Sequence, residues 1–193
     1  MPDLVLASTS PYRRQLLERL RVPFTCEAPG VDEAQVKATI ADPRAVVVEL
    51  ARRKALAVAR RRPGAIVIGS DQGACLDGAL LDKPGTAANA EAQLQRLQSR
   101  THELLTAVAF AQDGRVVAEF VDTTRLTMRA FGADEIARYV AAESPLDCAG
   151  SYKIEALGIA LFDRIECSDW TAIVGLPLLR LCAALRPLGV ALP

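Results

Sequence analysis

The residues best suited to phosphate and water chemistry lie in separate short stretches. Ser8-Thr9-Ser10-Pro11 sits between an apolar run and a helix start that carries Arg13 and Arg14. A helix N-terminus offers unpaired N–H groups and the positive end of a dipole, so hydroxyls and arginine there suit a phosphate. A capped helix with exposed arginines has the same signature. Gly69-Ser70-Asp71-Gln72 follows a buried apolar run, with Asp82-Lys83-Pro84 downstream. An acid at the end of a strand and a nearby lysine can position a metal-bound triphosphate and water, or only form a surface ion pair. Val31-Asp32-Glu33 follows Pro29-Gly30 and reads as paired acids in a loop, able to hold Mg²⁺ or to solvate a turn. Ala149-Gly150-Ser151-Tyr152-Lys153-Ile154-Glu155, then Gly158, offers small residues for close backbone approach to a ligand, or simply a tight loop.

The elements that must position these residues are legible from pattern. Leu4 to Ala7 and Phe24 to Ala28 read as short strands. Ser10 and Pro11 start a helix whose apolar face is Leu16, Leu17 and Leu20. Asp42-Pro43 starts a long helix running to about Arg61, before Pro63-Gly64. Val47, Leu50, Ala51, Lys54 and Val58 fall on one face of it, at spacings of three and four. Lys54 is therefore turned inward. A lysine there is costly unless it is paired or binds an anion, which packing alone does not explain.

Ala65 to Gly69 is a buried strand that ends in Ser70-Asp71-Gln72, and Asp77-Gly78 is a hairpin turn. Thr86 to Leu97 is helical, Leu104 to Ala111 and Arg115 to Met128 are strands joined through Asp113-Gly114, and Asp134 to Ala142 is a short helix. Gly158 to Ile165 is a further strand, and Leu176-Pro177 opens a last helix to about Leu185. With no internal repeat or low-complexity linker, the pattern predicts a mixed α/β fold with several hairpins.

Composition removes several functional classes. The chain has 193 residues, 51% hydrophobic and 24% charged, with zero formal net charge. It carries no global field for a nucleic acid polymer or an acidic membrane. Most of the basic residues in clusters such as Arg52-Arg53-Lys54 and Arg60-Arg61-Arg62 read as solvated helix faces and ends, Lys54 excepted. Cys26, Cys75, Cys148, Cys167 and Cys182 lack metal-ligand spacing and their odd count argues against a disulfide framework, while His102, the single histidine, cannot make a His-rich metal site. Met-Pro-Asp leads directly into the first strand, without a basic leader. No apolar run approaches the roughly 20 residues that span a bilayer. A cytoplasmic location is the expectation.

Taken together, these stretches resemble the Maf-type nucleotide pyrophosphatases from end to end. The matching segments are Leu6-Ala7-Ser8 with Ser10-Pro11, Val31-Asp32-Glu33, Lys54-Ala55, Ile68-Gly69-Ser70-Asp71, Lys83-Pro84, Thr106-Ala107-Val108, Ala149-Gly150-Ser151-Tyr152 and Val174-Gly175-Leu176-Pro177, in matching order and spacing. The resemblance implies an α/β fold with a mixed, partly antiparallel sheet flanked by helices, in two lobes around a cleft, like the inosine triphosphatase group. It implies one domain over residues 1–193 and a homodimer. It implies a reaction that needs a divalent cation, Mg²⁺ or Mn²⁺, and releases a nucleoside monophosphate and pyrophosphate. Carried over by position, Asp71 is the proton acceptor, Glu33, Lys54 and Lys83 are active-site residues, and Ser8 and Arg13 lie on the phosphate side. The metal ligands stay open, with Asp71 and Glu33 as candidates.

Departures from the commonest pattern narrow the substrate. The branch that cleaves dTTP and UTP has Ser-Pro-Arg-Arg, Asp-Thr and a glutamine where this chain has Ser10-Pro11-Tyr12-Arg13, Asp71-Gln72 and Glu155. These changes match the 7-methyl-GTP pyrophosphatase branch, in which an aromatic residue occupies the place of Tyr12. In addition, Asp82 stands before Lys83 where the commoner pattern has glycine. Chemistry agrees with that branch. The Watson–Crick edge of guanine presents N1–H and N2–H₂, which a carboxylate such as Glu155 accepts better than an amide. Methylation at N7 makes the base cationic, and an aromatic face such as Tyr12 then gains roughly 0.5–2 kcal/mol. Tyr12, Gln72 and Glu155 are thus the candidate specificity residues. The alternatives are dTTP, UTP or another modified nucleotide as substrate, or a non-catalytic nucleotide-binding regulator of cell division.

Overall fold

The computed structural model describes residues 2–192. Its seven-stranded sheet has the order β2-β1-β3-β5-β6-β7, with β4 paired to β3. The strands are β1 (Leu4–Leu6), β2 (Thr25–Cys26), β3 (Ile66–Leu76), β4 (Ala79–Leu81), β5 (Thr101–Gln112), β6 (Arg115–Met128) and β7 (Phe162–Glu166). The helices are α1 (Pro11–Glu18), α2 (Glu33–Thr39), α3 (Pro43–Ala59), α4 (Ala87–Leu97), α5 (Ala133–Glu143), α6 (Thr171–Val174) and α7 (Leu178–Leu185). β1 is parallel to β2 and β3, whereas β4 on β3 and β7 on β6 are antiparallel. The sheet is therefore mixed and partly antiparallel, as the family resemblance implies.

The chain divides into two compact units. The first comprises residues 1–72, 106–122 and 169–193, and the second residues 73–105 and 123–168. The core of the first is built from Leu4, Leu6, Ile66, Ile68, Val108 and Phe110 of the strands, with Leu16 and Leu17 of α1 and Leu181 and Leu185 of α7. In the second, α4 packs on α5. Ala90, Leu94 and Leu97 of α4, and Ile136, Tyr139 and Val140 of α5, are buried, at the spacing of one helix face.

Caps explain most helix starts. Ser10, Asp32, Asp42 and Thr86 each accept a hydrogen bond from the backbone N–H three residues on. The hairpin turns at Asp77-Gly78 and Asp113-Gly114 fall where the sequence places them. Elsewhere the structure departs from the sequence expectation. Asp32-Glu33 is not a loop, because Asp32 caps α2 and Glu33 is its first residue. β3 does not stop at Gly69 but continues to Leu76, so Asp71 lies inside a strand. It still lies just past the point where parallel pairing with β1 ends, at the Leu6–Ile68 register. Leu157–Leu161 is a 3₁₀ helix, which delays β7 to Phe162. The short α6 precedes the last helix and has no periodic signal.

One contact sets the spacing of α3 from β3. A Cβ on Gly69 would lie 2.5 Å from the Ala55 nitrogen and closer still to the Ala51 carbonyl oxygen. Those atoms form a hydrogen-bonded rung of α3, so the helix backbone rests directly on the strand. Gly69→Ala must push them apart, and overpacking of this kind costs about 1–3 kcal/mol. Urea denaturation is expected to show that loss. An unchanged midpoint would show that the helix yields without strain.

Candidate functional site

The side chains of β3 alternate between two faces, and each face has its own task. Gly69 and Asp71 face α3. The inward stripe expected from the sequence is present: Val47, Leu50, Ala51, Lys54 and Val58 are all buried. Because Gly69 admits the helix backbone, Lys54 reaches Asp71, and its Nζ donates to Asp71 Oδ1 at 2.6 Å. Glu33, at the start of α2, brings Oε1 to the same Nζ, also at 2.6 Å. The lysine and Asp71 side chains are only 9% and 10% exposed, whereas Glu33 is 45% exposed. The sequence expectation that an inward Lys54 must be paired is met by two carboxylates.

Burial pushes the Asp71 carboxyl above its ordinary range. The charge and hydrogen bond of Lys54 and the charge of Arg13 pull the other way, and the Glu33 charge adds to the rise. The Arg13 guanidinium is lowered by burial and held charged by Asp71 and Glu33. Two cations and two carboxylates thus share one neighbourhood.

Ser70 and Gln72 point the other way, towards α6 and the turn after it. The Ser70 hydroxyl donates to the Gly175 carbonyl at 3.0 Å. Gln72 Nε2 lies 3.0 Å from Thr106 Oγ1, 2.8 Å from the Ala172 carbonyl oxygen and 3.1 Å from that of Ile173. The donor side of the Gln72 amide is therefore committed to the scaffold. Arg13 Nε also donates to the Gly175 carbonyl, at 3.0 Å. Its neighbour Arg14 instead pairs with Glu18 at 2.9 Å on the outer surface of α1. The structure thus separates two arginines that sequence alone treats together. Ser8 is buried and its Oγ accepts the Ser10 N–H at 3.1 Å, which ties down the loop before α1.

Of the residues singled out from sequence, Ser8, Tyr12, Arg13, Glu33, Lys54, Asp71 and Gln72 belong to the first unit. Lys83 and Glu155 belong to the second, and both are exposed. Tyr12 is half-buried on α1. In the second unit the Tyr152 hydroxyl is hydrogen-bonded to buried His102 at 3.0 Å, and its ring meets Phe162 edge-on. Burial lowers His102 to about 4, so it is neutral at physiological pH. Tyr152 is thereby a packed anchor beneath the segment that carries Glu155. Gly175, Ser70 and Thr106 are not candidates by residue type. Gly175 and Thr106 have no signal in the sequence beyond falling within segments of the family pattern, and Ser70 is marked only as a neighbour of Asp71.

No group of three or more His, Cys, Asp or Glu side chains among the described residues forms a metal cage. Converging Asp71 and Glu33 fit a different arrangement. Mg²⁺ is commonly held by one or two carboxylates together with substrate phosphates. The donor set is all oxygen, which suits Mg²⁺ or Mn²⁺.

Residues 3–188 match the family model described as Maf-like protein. The chain is 51% identical over 193 residues to a protein of Xanthomonas oryzae pv. oryzae named 7-methyl-GTP pyrophosphatase, with all of both chains covered. It is 52% identical over 192 residues to a protein of the same name from Aromatoleum aromaticum, covering 98% of this chain and 97% of that one. Among solved structures, a HAM1 protein from Coxiella burnetii aligns with TM-score 0.53 at 19% identity, over 97% of this chain and 100% of that one. The last likeness is one of fold.

Lys54→Met removes the nearest charge that favours the Asp71 carboxylate. The Asp71 carboxyl is then expected to titrate at still higher pH, read by carbon-detected NMR of the carboxyl. A titration midpoint that stays put or falls would show that Lys54 does not govern it.

Proposed function

The chain belongs to the Maf-like protein family, and on that premise we propose that it hydrolyses 7-methyl-GTP to 7-methyl-GMP and pyrophosphate. The observation that carries the reading is the buried Lys54 ammonium held between Asp71 and Glu33, beside the Arg13 guanidinium. Such a group has a base, a charge to hold it, and cations for phosphate oxygens. Residues 1–193 act as one Maf-like domain in this reading, and the protein is a cytoplasmic homodimer. No helix among the described residues is long and apolar enough to cross a membrane. Light scattering after size-exclusion chromatography tests the dimer.

Asp71 accepts the proton of a water whose oxygen attacks the α-phosphorus. The new P–O bond forms as the bond from the α-phosphorus to the oxygen bridging to the β-phosphorus breaks, and pyrophosphate leaves with that bond's electron pair. A carboxyl raised by burial is a stronger base than an exposed aspartate, provided it is ionised, which Lys54 favours. Lys54 orients Asp71 and, with Arg13, faces the charge that spreads over the phosphate oxygens. Ser8 adds a hydroxyl on the phosphate side, and Lys83 adds a further cation for the leaving group. Asp71 and Glu33 are the residues that would hold Mg²⁺ or Mn²⁺. That ion supplies neutralisation of phosphate charge when bound.

For the base, Glu155 is the acceptor for guanine N1–H and N2–H₂, and Tyr12 supplies an aromatic face for the cationic ring. The relatives named 7-methyl-GTP pyrophosphatase support this choice, as does the pairing of an acid with an aromatic.

Asp71→Asn keeps size and hydrogen-bonding capacity but cannot take a proton. It is expected to lower kcat by roughly 10²–10⁴-fold, the range for losing a general base, with an unchanged far-UV circular dichroism spectrum. Near-normal turnover would remove Asp71 from this role. A nucleotide panel with pyrophosphate detection should give the highest kcat/KM for 7-methyl-GTP. Preference for UTP or dTTP would overturn the substrate, and triphosphate binding without turnover in any divalent metal would overturn catalysis. Glu155→Gln should weaken 7-methyl-GTP relative to UTP. An unchanged ratio of kcat/KM values would mean that Glu155 does not read the base.

A further inference from the structure

We infer that Ser70, acting through the Gly175 carbonyl, is a positioning residue that aims the Arg13 guanidinium at the phosphates. The inference rests on the proposal above that Arg13 binds phosphate. One carbonyl oxygen accepts both hydrogen bonds, from Ser70 Oγ and from Arg13 Nε, each at 3.0 Å. Ser70 is fully buried, so water cannot replace its hydroxyl at that oxygen. A guanidinium is planar, and fixing its Nε sets the direction of the remaining fork. Neither terminal nitrogen of Arg13 makes a hydrogen bond among the described residues, and both suit a phosphate edge.

The carbonyl that makes this link is itself held from several directions. Gln72 Nε2 donates to the Ala172 and Ile173 carbonyls, and Thr106 Oγ1 donates to that of Ala172 at 3.0 Å. Asp169 Oδ1 accepts the Thr171 N–H at 3.0 Å, and its Oδ2 accepts the Leu179 N–H at 2.7 Å. Segment 169–179 is tied at both ends and in the middle. Gly175 has φ +113, and a Cβ there would lie 3.3 Å from Arg13 Nε. The turn thus needs glycine on two counts, its own backbone and the arginine laid against it. Gln72 acts in this assembly by holding the turn.

A closing helix turn with an incidental arginine contact would show the same hydrogen bonds, but it would respond differently to paired substitutions. The test compares kcat/KM for 7-methyl-GTP in the wild type, Ser70→Ala, Arg13→Ala and the double variant. Arg13→Ala is expected to lose about 10²-fold, as removal of a cation from phosphoryl charge does. Ser70→Ala should lose about tenfold in the wild type through misplacement of that cation, and less than about twofold when Arg13 is already alanine. The same loss in both backgrounds, or none in the wild type, overturns the inference. An Arg13→Ala enzyme of normal activity instead overturns the phosphate role of Arg13. Should Ser70→Ala fail to fold, Ser70→Cys, which keeps the side-chain shape but donates only weakly, carries the same comparison, with the same background dependence expected and its absence overturning the inference.

Discussion

The direct contact of the α3 backbone with β3 at Gly69 is the constraint on which the site depends. A lysine side chain is long, but its ammonium must lie within hydrogen-bond reach of a carboxylate in a region from which water is largely removed. Had β3 carried any side chain at position 69, the helix would stand further out. With the helix at its present distance, the ammonium of Lys54 meets Asp71 at 2.6 Å. Packing and chemistry are therefore one requirement here. The missing Cβ that sets the helix–strand distance also sets the distance between the Asp71 carboxylate and the Lys54 ammonium.

Much of this arrangement is legible in the amino-acid sequence. The inward position of Lys54 follows from helical spacing, and its need for a partner follows from the cost of burying a charge. The capped starts of α1, α3 and α4 and the tight turns obey local rules that do not depend on tertiary context. What stays hidden depends on contacts distant in sequence. The extension of β3 beyond Ser70-Asp71-Gln72 is hidden because those polar residues break the apolar run and read as the end of the strand. Each of those polar groups is satisfied by a partner far along the chain: Lys54, Gly175, or Thr106 with the α6 carbonyls. The α2 helix escapes a sequence reading because Asp32-Glu33 looks equally like a solvated turn and a helix start. The cap takes one acid out of the site and aims the other into it. The role of Gly175 is not readable from its residue type at all.

The alternation of β3 explains how a short segment serves several purposes without conflict. Period two places residues 69 and 71 on one face and 70 and 72 on the other. The first pair meets a helix and holds the carboxylate that pairs with Lys54. The second meets a turn and fixes backbone carbonyls. A helix would have spread these residues around an axis at 100° steps, and a loop would not have held them. A strand suits this segment because two partners are engaged from opposite sides.

The charges of the site also account for its tolerance of burial. Asp71 alone would be pushed towards its protonated form by desolvation, and a buried ammonium without a partner is costly. Held together with Glu33 and Arg13, the group is close to neutral. Such a balance is poised for an anionic substrate. An anionic ligand would meet less repulsion beside Arg13 and Lys54 than in an all-acid pocket. The half-exposed Glu33 is the member best able to move, since its side chain is the least confined of the carboxylates. Asp71, pinned by a buried strand on one side and a touching helix on the other, is not. A general base gains from that rigidity, because a fixed acceptor loses no reorganisation energy as the proton arrives. The stability given up in burying these charges is thus tied to the same feature that makes Asp71 suited to its proposed task.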